Sequence, residues 1–84
     1  MNTEIEKNKY GYFIEIKNDY SNLFTDYQLA KLLGIPRQHY QDYLIENYNA
    51  FVINDEAYFE SKEHAQNAIE WIISSCIINK LIGD

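Results

Sequence analysis

The sequence predicts an α+β fold in a single domain covering residues 1–84, and three observations carry that expectation. Tyr10 to Lys17 alternates side chains with the period of a strand half-buried on one side. Two short runs of strand formers, Phe51-Val52-Ile53 and Ala57-Tyr58-Phe59, flank the turn residues Asn54-Asp55-Glu56. Two segments between these strands, and one long segment after them, space their apolar residues three and four apart as helices do. The expected order is an N-terminal strand, two helices joined by a tight turn, a hairpin and a long C-terminal helix.

Residues 1–9 are polar and charged and read as a flexible terminus. In the strand that follows, Tyr10, Tyr12, Ile14 and Ile16 share one face, while Gly11, Phe13, Glu15 and Lys17 share the other, where Phe13 is the exception. Asn18 to Asn22 is turn chemistry, because its short polar side chains compete for backbone hydrogen bonds. Thr25 and Gln28 have capping-box spacing, and Phe24 and Leu29 stand where a hydrophobic staple closes. The first helix is therefore expected from Asp26 to Leu33, ended by Gly34 as a left-handed cap. Pro36 suits the first position of a second helix running to about Asn47, which would bury Tyr40, Tyr43 and Leu44. Its outer face would carry Arg37, Gln38, Gln41, Asp42 and Ile45.

The hairpin is expected over residues 50–60, and Ser61 then caps a helix over residues 61–82 with Glu63 near its positive end. Ala65, Ala68, Ile69, Ile72 and Cys76 make one apolar face of that helix. Trp71, Ile78 and Ile82 make a second stripe, and Ile77 and Leu81 fill most of the gap between the two. A helix apolar nearly all round must be covered on more than one side. Trp71, Ile77, Ile78, Leu81 and Ile82 are accordingly the expected interface of a homodimer.

The two helices resemble the helix-turn-helix of phage-repressor and excisionase-type proteins, over residues 25–47. The matching residues are Leu29 and Ala30 in the first helix, Leu33, Gly34 and Ile35 at the turn, and Tyr40 with Tyr43 or Leu44 in the second. The resemblance implies a DNA-reading second helix in which Arg37 can hold guanine, and Gln38 or Gln41 adenine, by paired hydrogen bonds. It also makes the hairpin a candidate wing, but the wing tip offers Asp55 and Glu56 where family wings offer Lys or Arg.

Charge bears on the same choice. The net charge is −6, and residues 51–84 hold six acids against Lys62 and Lys80. Affinity for nucleic acid comes from Lys and Arg neutralising phosphates, so this balance favours a protein partner over DNA. Asp55, Glu56, Glu60 and Glu63 form the expected acidic surface. In size, charge and Tyr/Asn/Ile-rich composition the chain resembles small acidic phage and mobile-element proteins, including inhibitors of host nucleases and CRISPR effectors. That resemblance implies an anti-defence inhibitor; a dimeric helix-turn-helix transcriptional regulator is the alternative.

Other chemistry has little footing. His39 and His64 lie in no shared motif, Cys76 sits on an apolar helix face, and no Gly-rich phosphate loop or nucleophile elbow is present. No enzyme, metal site, cofactor or small-molecule substrate is expected. A single cysteine fits a reducing cytoplasm, and the run from Ile69 to Ile82 is too short and too polar to span a membrane.

Overall fold

The computed structural model describes residues 2–36 and 39–83, with side chains described through residue 78. Strand β1 (Asn2–Asn8) pairs antiparallel with β2 (Gly11–Lys17), helices α1 (Asp26–Leu33) and α2 (Tyr40–Tyr48) follow, β3 (Phe51–Ile53) pairs with β4 (Glu56–Tyr58), and α3 (Lys62–Gly83) closes the chain. Among the described residues this is a mixed fold of two small antiparallel sheets and three helices.

The first departure from expectation is β1. Residues 1–9 were expected as a flexible terminus, yet Asn2 to Asn8 form a full strand in register from Asn2 opposite Lys17 to Asn8 opposite Gly11. Only Thr3 and Ile5 of this edge strand are even half-buried, so its sequence carries almost no apolar signal. Its stability comes from the ladder and from the turn. Asn8 Oδ1 accepts the Tyr10 amide at 2.8 Å, which closes a side-chain turn of the kind Asn favours. Lys17 lies 4.0 Å from Glu4 and 3.7 Å from Glu15, which offsets the repulsion of two carboxylates directly opposite one another.

The α1 termini follow their sequence signals closely. Thr25 Oγ1 accepts the Gln28 amide at 3.2 Å while Gln28 Oε1 accepts the Thr25 amide at 2.9 Å, a complete capping box. At the other end Gly34 takes φ 74°, the Ile35 amide reaches Ala30 O at 3.0 Å and the Gly34 amide reaches Lys31 O at 3.3 Å. This is the Schellman arrangement. The second helix begins at Tyr40 rather than Pro36. The His39 amide instead donates to Pro36 O at 2.9 Å, and no side chain caps the new start. Tyr43, expected in the core, is exposed.

The second hairpin turns on two residues, not three. Asn54 and Asp55 both adopt left-handed φ, 51° and 66°, which matches the twist of the strands they join and leaves Glu56 paired with Ile53 inside the ladder. The hairpin does not add a continuous strand to β2. It meets β2 at one place, where Tyr12 N donates to Phe59 O at 2.9 Å and Phe59 N donates to Tyr12 O at 2.6 Å. Gly11 stands beside this junction at φ 141°, and a Cβ there would lie 2.9 Å from Phe59 O.

Helix α3 packs on α1, α2 and the first hairpin. Ser61 Oγ accepts the His64 amide at 3.2 Å as the sequence predicted, and Ala65, Ala68, Ile69, Ile72 and Cys76 are all buried. They join Phe59, at 0% exposure, together with Ile16, Leu29, Leu33, Tyr40 and Leu44 in one core. Trp71, expected at a dimer interface, is half-buried within its own chain: it stacks on Tyr43 at 5.4 Å and 2° and on Tyr48 at 5.6 Å and 29°. Ile77 and Ile78 are each 54% exposed. The side chains of Leu81 and Ile82 lie outside those described. No described helix is long and apolar enough to cross a membrane.

Two substitutions test the junction. Gly11→Ala is expected to lose about 1–3 kcal/mol, since alanine must adopt a glycine φ and crowd the Phe59 carbonyl. Phe59→Ala is expected to lose about 3–5 kcal/mol by emptying the centre of the core. Urea denaturation followed by Trp71 fluorescence measures both.

Candidate functional site

The second hairpin leaves a cleft of about 380 Å³ between itself, β2, the start of α1 and α2. Its deep residues are apolar and buried: Ile16, Leu29, Leu44 and Tyr40. Phe13, Phe24 and Tyr58 add aromatic surface. Phe13, out of place in the strand pattern, meets Tyr58 edge-on at 6.0 Å. Tyr58 also packs with Tyr10 at 5.6 Å and Phe51 at 6.1 Å, so one buried ring gathers aromatics from both hairpins.

Four carboxylates surround this lining: Glu15 from β2, Asp26 at the first position of α1, and Asp55 and Glu56 from the hairpin. Among the described residues no Lys, Arg or His lines the cleft. Lys17 pairs with Glu15 from outside it, whereas Asp26 and Glu56 have no ion-pair partner among the described residues. The Glu56 carboxyl is held above the usual carboxylate range, first by partial burial and then by the negative charges of Asp26 and Glu15. Tyr40 is 5% exposed, and its hydroxyl makes no hydrogen bond to a described residue. Burial raises its phenol far above the ordinary range, with Asp26, Glu56 and Cys76 adding to the effect in that order. At neutral pH it is therefore a neutral donor or acceptor, not a phenolate.

Local folding explains why these groups meet. The Phe24 amide donates to Ile16 O at 2.9 Å, and Leu23 bridges Lys17. Asn18 Oδ1 accepts the Tyr20 and Asn22 amides at 2.9 and 3.1 Å, folding the connecting loop so that Asp26 stands beside β2. On the other side Gln41 Nε2 donates to Asp55 O at 2.7 Å and holds the hairpin tip on α2.

The structure redistributes the residues singled out in the sequence. Gln41, expected on an open DNA-reading face, is half-buried and engaged with the hairpin. Arg37 and Gln38 lie outside the described residues. Of the acidic group, Asp55 and Glu56 reach the cleft, while Glu60 and Glu63 are exposed elsewhere, between β4 and α3 and in the first turn of α3. Glu15, Asp26 and Tyr40 are site residues that sequence reasoning missed. Asp26 carried the ordinary explanation of an acid in a first helical turn. Glu15 read as the solvent face of a strand, and Tyr40 as core.

The rest of the reactive inventory is quiet. Burial raises the Cys76 thiol, which keeps it protonated and unreactive at neutral pH. His64 Nδ1 is buried without a hydrogen-bond partner among the described residues. The described residues hold no group of three or more His, Cys, Asp or Glu suited to a metal ion. Comparison with protein-family models, curated proteins and solved structures finds no match to this chain.

The carboxylate cluster has a measurable signature. A carboxyl raised on folding costs stability once ionised. That cost is absent below the unfolded value, develops as pH rises from 4.5 towards the higher folded value, and is complete above it. Glu56→Gln should therefore gain stability at neutral pH, by less than about 1 kcal/mol because the side chain stays open to solvent, and gain nothing in strong acid. Thermal melts across pH 3 to 8 check this.

Proposed function

We propose that this chain is a non-enzymatic protein-binding module of phage or mobile-element type, which meets its partner through the acid-rimmed cleft. The observation that carries the reading is the convergence of Glu15, Asp26, Asp55 and Glu56 on one aromatic-lined cleft that, among the described residues, no Lys, Arg or His lines. A carboxylate surface of this kind repels nucleic acid and attracts a basic protein face. Its specific form is an acidic anti-defence inhibitor that occupies the basic groove of a nucleic-acid-handling protein, working in a reducing cytoplasm. The net charge of −6 supports that version.

A dimeric helix-turn-helix regulator is the second reading, favoured by the capping box and Schellman turn that set α2 after α1. Against it, Gln41 is committed to the Asp55 carbonyl and the hairpin tip is acidic. Mobility-shift assays on promoter fragments of the chain's own genome, over a salt series, separate the two. The protein-binding reading predicts no sequence-selective shift, and a selective shift abolished by Arg37→Ala would sink it.

We also propose a homodimer through the exposed Ile77 and Ile78 of α3. Light scattering after gel filtration should give a dimer at micromolar concentration that Ile78→Glu converts to monomer. A wild-type monomer at that concentration contradicts the dimer.

A further inference from the structure

We propose that the cleft receives a guanidinium group, presented by an arginine side chain of the protein partner. This rests on reading the chain as a protein-binding module, and it adds the chemistry of the group that is recognised. Two independent features point the same way. One is the set of carboxylates at the rim, of which Asp26 and Glu56 have no ion-pair partner among the described residues. The other is Tyr40, a cleft residue that is 95% buried and whose hydroxyl has no hydrogen-bond partner among the described residues. The carboxylates call for a cation and the phenol oxygen for a hydrogen-bond donor, and one ligand that is cationic and donates several hydrogen bonds meets both.

Three cation types could answer that demand, and the lining separates them. A metal ion needs convergent ligands, and the described residues supply no group of three or more suited to one. A lysine ammonium is a compact, strongly hydrated point charge with no flat face to lay against an aromatic lining. A guanidinium is planar and weakly hydrated, donates five N–H groups in a fixed fork and stacks on aromatic faces. The half-buried Phe13 is the ring in the lining open to such stacking, the carboxylates of Asp26 and Glu56 accept the fork, and the Tyr40 oxygen accepts a further N–H. The three-carbon stem would lie along the apolar side chains of the cleft. Glu15 is the lesser contributor, since Lys17 stands 3.7 Å from it. Glu56 is raised first by partial burial and then by the charges of Asp26 and Glu15, and a cation placed between them relieves the second of these effects.

The cleft of about 380 Å³ is at the small end of ligand sites, which fits one long side chain rather than a cofactor.

The test uses N-acetyl-arginine amide as probe and its uncharged isostere N-acetyl-citrulline amide as control, followed by amide chemical shifts of the full chain at low salt. Expected are shifts confined to the backbone near Glu15, Asp26, Tyr40 and Glu56, saturating with a dissociation constant on the order of 1 mM, as a ligand of this size allows. Citrulline amide should bind about tenfold more weakly or not at all, as loss of charge-assisted hydrogen bonds predicts. The double substitution Asp26→Asn with Glu56→Gln should weaken arginine binding about tenfold, while Glu46→Gln, away from the cleft, leaves it unchanged. Should the double variant fail to fold, Tyr40→Phe, which keeps the buried ring, is expected to weaken binding about threefold. Equal binding of citrulline amide, shifts spread over the whole acidic surface, or no saturable shift would overturn the proposal.

A second arm separates this claim from the reading beneath it. A captured partner released by neither millimolar arginine amide nor the double substitution overturns the guanidinium site and leaves the protein-binding module standing. Cleft binding of arginine amide, with a library of arginine-containing peptides binding no better than the free amide, keeps the guanidinium site but overturns its presentation by a protein partner and with it the protein-binding reading.

Discussion

The reciprocal pair of backbone hydrogen bonds between Tyr12 and Phe59 is the interaction on which the rest of the structure depends. It is a single bridge between two hairpins that are otherwise separate ladders. Because Phe59 is wholly buried and lies just before the Ser61 cap, the bridge fixes the second hairpin to β2 and also sets where α3 starts. Glycine at position 11 is what lets the two chains approach so closely, since any side chain there would strike the bonded carbonyl. Without this contact the hairpin keeps the Gln41 bond to α2, a bond of 3.4 Å from Asn8 Nδ2 to the Tyr58 hydroxyl and the aromatic packing around Tyr58.

From that junction the cleft follows. The hairpin is pinned at its base by Phe59 and at its tip by Gln41, so a gap remains between it and the start of α1. The gap is held open against a physical penalty. Acids from β2, α1 and the hairpin are brought together, and the Glu56 carboxyl is raised, first by its partial burial and then by the charges of Asp26 and Glu15. Among the described residues the one base that reaches these acids is Lys17, which pairs with Glu15 and Glu4. Like charge beside a largely buried phenol without a hydrogen-bond partner among the described residues is the observation behind the proposed cation site.

Much of the fold was legible because it rests on local signals. The Thr25–Gln28 capping box, the Gly34 turn, the Ser61 cap and the apolar face from Ala65 to Cys76 each concern residues a few positions apart, and each folded as read. β1 was hidden because an edge strand needs few apolar residues when its ladder and its Asn8 turn supply the stability. Pro36 suggested a helix start, but the helix begins at Tyr40, and the His39 amide donates to Pro36 O. Trp71 looked surplus to one domain because its partners, Tyr43 and Tyr48, sit on another helix, and periodicity on α3 carries no trace of them. The cleft was the least legible feature. Its acids come from positions 15, 26, 55 and 56, and only the last two are neighbours in the chain. What brings them together is the local turn folded on Asn18, whose place in a site the sequence did not mark, and the long-range bond from Gln41 to Asp55.

Amide hydrogen exchange at Tyr12 and Phe59 tests the central claim most directly. If the junction holds the two hairpins in one cooperative unit, both amides exchange only through global unfolding, with the same protection as Ile72 in the middle of α3. Exchange at Tyr12 and Phe59 faster than at Ile72 by about a hundredfold or more would mean that the hairpins separate while the helices stay folded, and the cleft would then not be a preformed site.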